Sequence, residues 1–164
     1  GSRSGTPRLQ VVNLTLGTKL TDVSFSLMAG EVLGVVGLEG QGQDELFQAL
    51  AGFRHPTGGT IRVDGAPQTF HHPAEAIAAG LTYVPGNRAD ALAMVRSVRE
   101  NIALPGLVAP RHWGPIPMGR EAARVNDAIA RLQIDTRAQG EVRRLSGGNQ
   151  QKVTIGRWIA HGVQ

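Results

Sequence analysis

Apolar positions near the start of the chain follow a period of two. Leu9 to Leu16 is rich in Val, Leu and Thr, and Val23, Phe25 and Leu27 alternate with polar residues, as in strands with one buried face. Ala29-Gly30 reads as a turn. The continuous apolar run Val32-Leu33-Gly34-Val35-Val36 that follows predicts a central parallel strand buried on both faces. From Asp44 to Ala51 the period changes. Leu46, Phe47 and Leu50 stand at helical spacing behind acidic residues, which suit the positive end of a helix dipole. Thr60 to Val63 reads as a short strand ended by the hairpin signal Asp64-Gly65. Pro73 to Ala79 reads as a helix closed by Gly80, with a further strand over Leu81 to Val84.

Beyond Ser97 the pattern becomes helical. Ser97 and Glu100 have capping-box spacing ahead of Ile102 and Leu104, and Arg120 to Leu132 carries Val125, Ile129 and Leu132 on one face. Between them, residues 105 to 119 hold four prolines, three glycines and Trp113, which predicts a connector. Ser146 is placed to cap a last helix running through Val153, Ile155 and Trp158 towards Ala160. Trp158 and Phe47 are expected in the core. The opening Gly1-Ser2 resembles the scar of a cleaved tag, so residues 1–7 stand outside the fold. An α/β core with a β-subdomain is expected over 8–90, a helical subdomain with connectors over 91–144, and a separate motif segment over 145–164.

Composition narrows the classes. The 164 residues are 41% hydrophobic and 18% charged, ordinary for a globular domain with its own core. No apolar run reaches the roughly 18 residues of a membrane span, and no signal-like segment opens the chain; a soluble, intracellular protein is expected. Cysteine is absent, which removes disulfides and Cys-ligated zinc. The net charge of +4 is scattered rather than clustered, and the chain has one Tyr, two Trp and four Phe. That gives little footprint for nucleic acid. His55, His71, His72, His112 and His161 show no ligand spacing, so no protein-held metal is expected. Arg88 and Arg99 read as solvated charge.

Gly37-Leu38-Glu39-Gly40-Gln41-Gly42 lies between the apolar run and the acidic-headed helix, the setting of a phosphate-binding loop. Its glycines let successive N–H groups turn into one concavity at a helix N-terminus. A plain strand-to-helix turn is the alternative. A dinucleotide site fits less well, because no acidic residue ends a following strand about twenty positions on. Two positions depart from a working loop: Gln43 stands where a phosphate-neutralising Lys belongs, and Asp44 where a Mg-binding Ser or Thr belongs. A hydrogen bond to a charged group is worth about 1.5–3 kcal/mol, so an amide in place of ammonium weakens triphosphate binding by about one to two orders of magnitude.

Leu145-Ser146-Gly147-Gly148-Asn149-Gln150-Gln151-Lys152 is the most specific stretch. Ser146 caps a helix whose Gly-Gly start leaves its N–H groups open to an anion carried on another surface. With Gly37 to Asp44, this segment resembles the signature sequence of ABC-type ATPases over nearly all of residues 9–164. Asp22-Val23-Ser24-Phe25 leading to Ala29-Gly30-Glu31-Val32-Leu33-Gly34 resembles the second nucleotide-binding domain of ribose, galactose and nucleoside-type importers.

The resemblance implies a P-loop (RecA-like) core with a β-subdomain and an inserted helical subdomain, binding ATP and Mg2+. Two such domains would sandwich ATP head to tail. Leu145, Ser146, Gly147, Gly148, Asn149 and Gln150 would complete the partner's site, and Gly37, Leu38, Glu39, Gly40, Gln41, Gly42, Gln43 and Asp44 would form a weaker one. It further implies transmembrane permease subunits, indirectly an extracellular solute-binding protein, and a place at the cytoplasmic face of the membrane. The family's Q-loop falls on Tyr83 to Arg88, where Gly86 has no side chain to ligate metal. No aromatic stands near Thr18 for stacking on adenine. The chain is expected to be a fragment ending at Gln164, ahead of the strand that carries the general base, and inactive alone. A non-hydrolytic docking module is the second reading. An ABC-type protein acting on DNA or ribosomes is the third, disfavoured by the absence of basic or aromatic insertions.

Overall fold

The chain folds as two compact units, residues 1–83 and 84–164. The computed structural model describes residues 5–38, 40–108, 118–135 and 140–162. Gly1-Ser2, Glu39, His112, Trp113, Gln164 and the Arg88 side chain lie outside the described part.

In the first unit the alternating segments form β1 (Leu9–Leu16) and β2 (Leu20–Leu27). The hairpin signal separates β3 (Gly58–Val63) from β4 (Ala66–Gln68). They make one antiparallel sheet in the order β2-β1-β3-β4, with Val11 opposite both Phe25 and Ile61. Leu9 and Val11 are buried, then Leu14 and Leu16. The parity changes at a bulge where Asn13 takes φ 50, a conformation Asn tolerates, and the shift keeps all four apolar side chains on the core face. At the β3–β4 turn the Arg8 guanidinium grips the Asp64 carboxylate. Leu46 and Ala49 of α1 (Gln43–Leu50) and Ala76 of α2 (Pro73–Ala78) belong to the same core with Phe70. The α2 start is capped by His72 Nδ1, which accepts from the Ala74 N–H. The Glu75 carboxyl, accepting from the His71 N–H, is held below its ordinary value.

Two predicted strands are absent. Val32 to Val36 is irregular, with Val32 95% and Val36 97% exposed. A strand buried on both faces needs a hydrogen-bonded neighbour along its edges and cover over its faces, and no described strand pairs with this run. Leu81 to Val84 is also irregular; its Leu81 N–H donates to Ala76 O, and the Leu81 side chain leans on the first unit's core. Phe47, expected in the core, is 40% exposed and stacks on Tyr83 with ring centroids 6.5 Å apart.

The second unit is helical: α3 (Arg88–Ala91), α4 (Val98–Val108), α5 (Met118–Arg131) and α6 (Gly147–Ile159), with a 3-10 turn at Val142–Arg144. Val98, Ile102, Val125, Ala128, Val142 and Val153 lie in its core. Ser97 and Glu100 form the expected capping box: the Ser97 N–H donates to Glu100 Oε2 at 2.8 Å and the Glu100 N–H to Ser97 Oγ at 3.3 Å. That bond from the Ser97 backbone is the main reason the Glu100 carboxyl sits below its ordinary value. The connector expected over 105–119 is shorter, because α4 continues through Pro105 and α5 begins at Met118. Proline cannot donate to the Asn101 carbonyl four residues back, and Arg157 Nε on α6 donates to it instead, at 2.9 Å. Trp158 is half-buried rather than enclosed.

Candidate functional site

Each unit carries one of the glycine segments. In the first, Gly37, Leu38, Gly40, Gln41 and Gly42 lead straight into α1. The loop is closed on itself, since the Gln41 N–H donates to Leu38 O at 3.1 Å. Gln43 Nε2 donates to the same carbonyl at 2.8 Å. The Gln43 amide lies so close over Gly37 that a Cβ there would stand 2.7 Å from Nε2. Gly42 takes φ 101, and a Cβ on it would stand 2.5 Å from the Lys19 carbonyl oxygen. Only glycine satisfies both constraints, so the loop's end is pinned to the β1–β2 turn.

α1 starts at Gln43 with no side-chain cap. The N–H groups of its first turn have no partner within the helix and are suited to an anion. Against that stand two carboxylates: Asp44, exposed, and Glu45, whose side chain is 16% exposed. Lys19 Nζ lies 3.8 Å from Glu45 Oε1, and Arg54 NH1 lies 3.9 Å from the same oxygen. Sequence spacing pointed to Gln43 and Asp44; it gave no sign of Lys19 or Arg54, which reach Glu45 through folding. Among the described residues no three His, Cys, Asp or Glu side chains converge as a metal site. The His55 and His71 rings meet, with centroids 5.1 Å apart.

In the second unit Ser146 caps α6: Ser146 Oγ accepts from the Asn149 N–H at 3.4 Å and from Asn149 Nδ2 at 3.1 Å. Asn149 Oδ1 accepts from the Asp135 N–H at 3.2 Å. Gln150 points inward, its Nε2 donating to Val142 O and Leu145 O at 3.2 Å each. Leu145 is half-buried and packs on the unit's core. Four of the six residues therefore build and hold the helix start. Ser146 and Gly148 are exposed, and a Cβ on Gly148 would meet nothing within 4 Å. A glycine inside a helix costs about 0.5–1 kcal/mol relative to alanine, and no contact among the described residues requires it here.

Residues 20–164 match the ABC transporter family. The ribose import ATP-binding protein RbsA of Yersinia pestis is 41% identical over 155 residues, 93% of this chain and 31% of that protein. A ribose import ATP-binding protein of Rhizobium johnstonii is 39% identical over 158 residues, 95% of this chain and 31% of its own length. The chain thus spans less than a third of these curated relatives. Among solved structures, cbiO1 from Clostridium perfringens, part of the ABC transporter complex cbiONQ, aligns with 95% of this chain and 62% of its own. Its TM-score is 0.78 at 21% identity. A nucleotide-free ATP-binding cassette from an ABC transporter gives a TM-score of 0.78 at 22% identity, covering 94% of this chain and 65% of its own. At these identities the likeness is one of fold.

Proposed function

Because the chain belongs to the ABC transporter family, we propose that it is the second ATP-binding half of an importer for simple sugars or related solutes. Its signature segment completes a partner half's site, while its own glycine loop holds Mg-ATP weakly. Its fold is that of the ATP-binding cassettes, and the ribose import relatives supply the solute class. The observation that carries the division of labour is the start of α6: Ser146 and Gly148 are exposed, and Gly148 has open space around it. A phosphate on a partner's surface has room to meet the first N–H groups of that helix.

The glycine loop fits a polyphosphate through its backbone, with Gly42 leading into an uncapped α1. At position 43 it offers a neutral amide already engaged with Leu38 O, and at position 44 a carboxylate in place of a hydroxyl. Mg2+ would neutralise phosphate charge, with Asp44 the group placed to approach it. The permease subunits such a half would serve need an apolar face to grip, and Phe47 and Phe53, both exposed, share Tyr83 as an aromatic neighbour. No helix among the described residues is long and apolar enough to cross a membrane, so attachment at the cytoplasmic face would come through such subunits.

ATP turnover by the assembled transporter tests this reading. Ser146→Arg places a bulky side chain where the partner's phosphate would arrive and is expected to lower turnover at least about tenfold. Turnover unchanged by it would refute the signature role. The engaged amide of Gln43 favours the second reading, a half that docks and orients its partner without productive nucleotide. That reading requires no Mg-ATP binding at this loop.

A further inference from the structure

Glu45 stands in the first turn of α1, the end of the helix that would face a bound phosphate, where a carboxylate opposes an anion. Two cations are gathered on its Oε1: Lys19 Nζ at 3.8 Å and Arg54 NH1 at 3.9 Å. Lys19 hangs from backbone that touches the loop itself, since its carbonyl oxygen occupies the space a Cβ on Gly42 would need. Its side chain is 56% exposed, and 3.8 Å is longer than a formed charge-assisted hydrogen bond, so the ammonium is loosely held and free to swing on its four-carbon stem. Gln43, by contrast, is neutral and tied to Leu38 O.

We propose that Lys19 is the phosphate-binding cation of this loop, replacing the lysine that position 43 lacks. When a polyphosphate arrives, Nζ leaves Glu45 for a phosphate oxygen. Arg54 is no more tightly held, at 3.9 Å, but it is rooted beyond the far end of α1, whereas the Lys19 backbone borders the loop. Arg54 is therefore the cation left beside the carboxylate. A lysine on the β1–β2 turn thus supplies the charge that the P-loop pattern places on the helix. The proposal rests on the reading of the glycine loop as a nucleotide site.

Isothermal titration of Mg-ATP into the full chain tests it, with circular dichroism confirming that each variant is folded. Lys19→Gln is expected to weaken binding at least about fivefold, and to do so equally in a Glu45→Gln background. Lys19→Arg, which keeps the charge, is expected to stay within about twofold. If the loss vanishes when Glu45 is already Gln, Lys19 merely neutralises a carboxylate and the proposal is overturned. If the unaltered chain binds no Mg-ATP at millimolar concentration, the nucleotide reading of the loop fails first and takes this proposal with it. Binding by the unaltered chain that Lys19→Gln leaves unchanged overturns the proposal alone.

Discussion

At the scale of single residues, the glycine loop shows what spacing reveals and what it hides. Gln43 and Asp44 stand out because the phosphate-binding loop proposed here would carry a lysine and a hydroxyl at those two positions. The structure adds that Gln43 is occupied, its Nε2 on Leu38 O and its amide against Gly37. Restoring Lys at 43 and Ser at 44 changes two things together: an ammonium replaces an engaged amide, and a hydroxyl replaces a carboxylate that repels phosphate. Mg-ATP affinity is expected to rise at least about tenfold, from a charged hydrogen bond of about 1.5–3 kcal/mol. Unchanged affinity in a titration of the double variant would mean that the loop's backbone, not these side chains, limits binding. Lys19 and Arg54 left no trace in the sequence, because their meeting at Glu45 depends on a turn and a helix end separated along the chain.

Local signals carried much of the element scale. The capping box at Ser97 and Glu100, the Asp64-Gly65 hairpin and the Ser146 cap all formed as read, since each is complete within a few residues. The connector expected from residue 105 starts later because α4 runs on through Pro105, whose cost is met from afar. Arg157 donates to the Asn101 carbonyl at 2.9 Å, to Asn101 Oδ1 at 3.0 Å and to Ala91 O at 2.5 Å. Asn101, fully buried, also holds Ala93 O and Ser97 O through its amide. Burial pulls the Arg157 guanidinium below its ordinary value, the mark of a cation desolvated among carbonyls. Arg157→Met strands those acceptors and is expected to cost about 2–4 kcal/mol, read from denaturant unfolding. Pro105→Ala supplies an N–H to the same Asn101 carbonyl, so in the Arg157→Met background it should recover about 1 kcal/mol more than in the unaltered chain. Effects that add to within about 0.3 kcal/mol would show that Arg157 does not cover the carbonyl freed by proline.

At the scale of the whole molecule, the antiparallel sheet and the helical unit were legible because their pairing partners lie within the chain. The predicted parallel strand was not, although Val32-Leu33-Gly34-Val35-Val36 has the composition of one. Composition shows that a segment belongs in an interior; it cannot supply the neighbouring edges, and here the run is irregular with Val32 and Val36 almost bare. Such a run beside the glycine loop leaves the loop's entry without the anchor a central strand provides. The ribose import relatives are some three times the length of the matched region, which is 31% of each. In the whole Yersinia pestis protein the stretch matching this run is expected to be paired and buried. Its amide hydrogen exchange should be at least about a hundredfold slower than that of Val32 to Val36 in this chain, and Mg-ATP should bind more tightly where the loop's entry is fixed. Exchange as fast in that longer protein as in this chain would show that the apolar run is exposed by design, and the irregular form would have to be taken as the loop's working state.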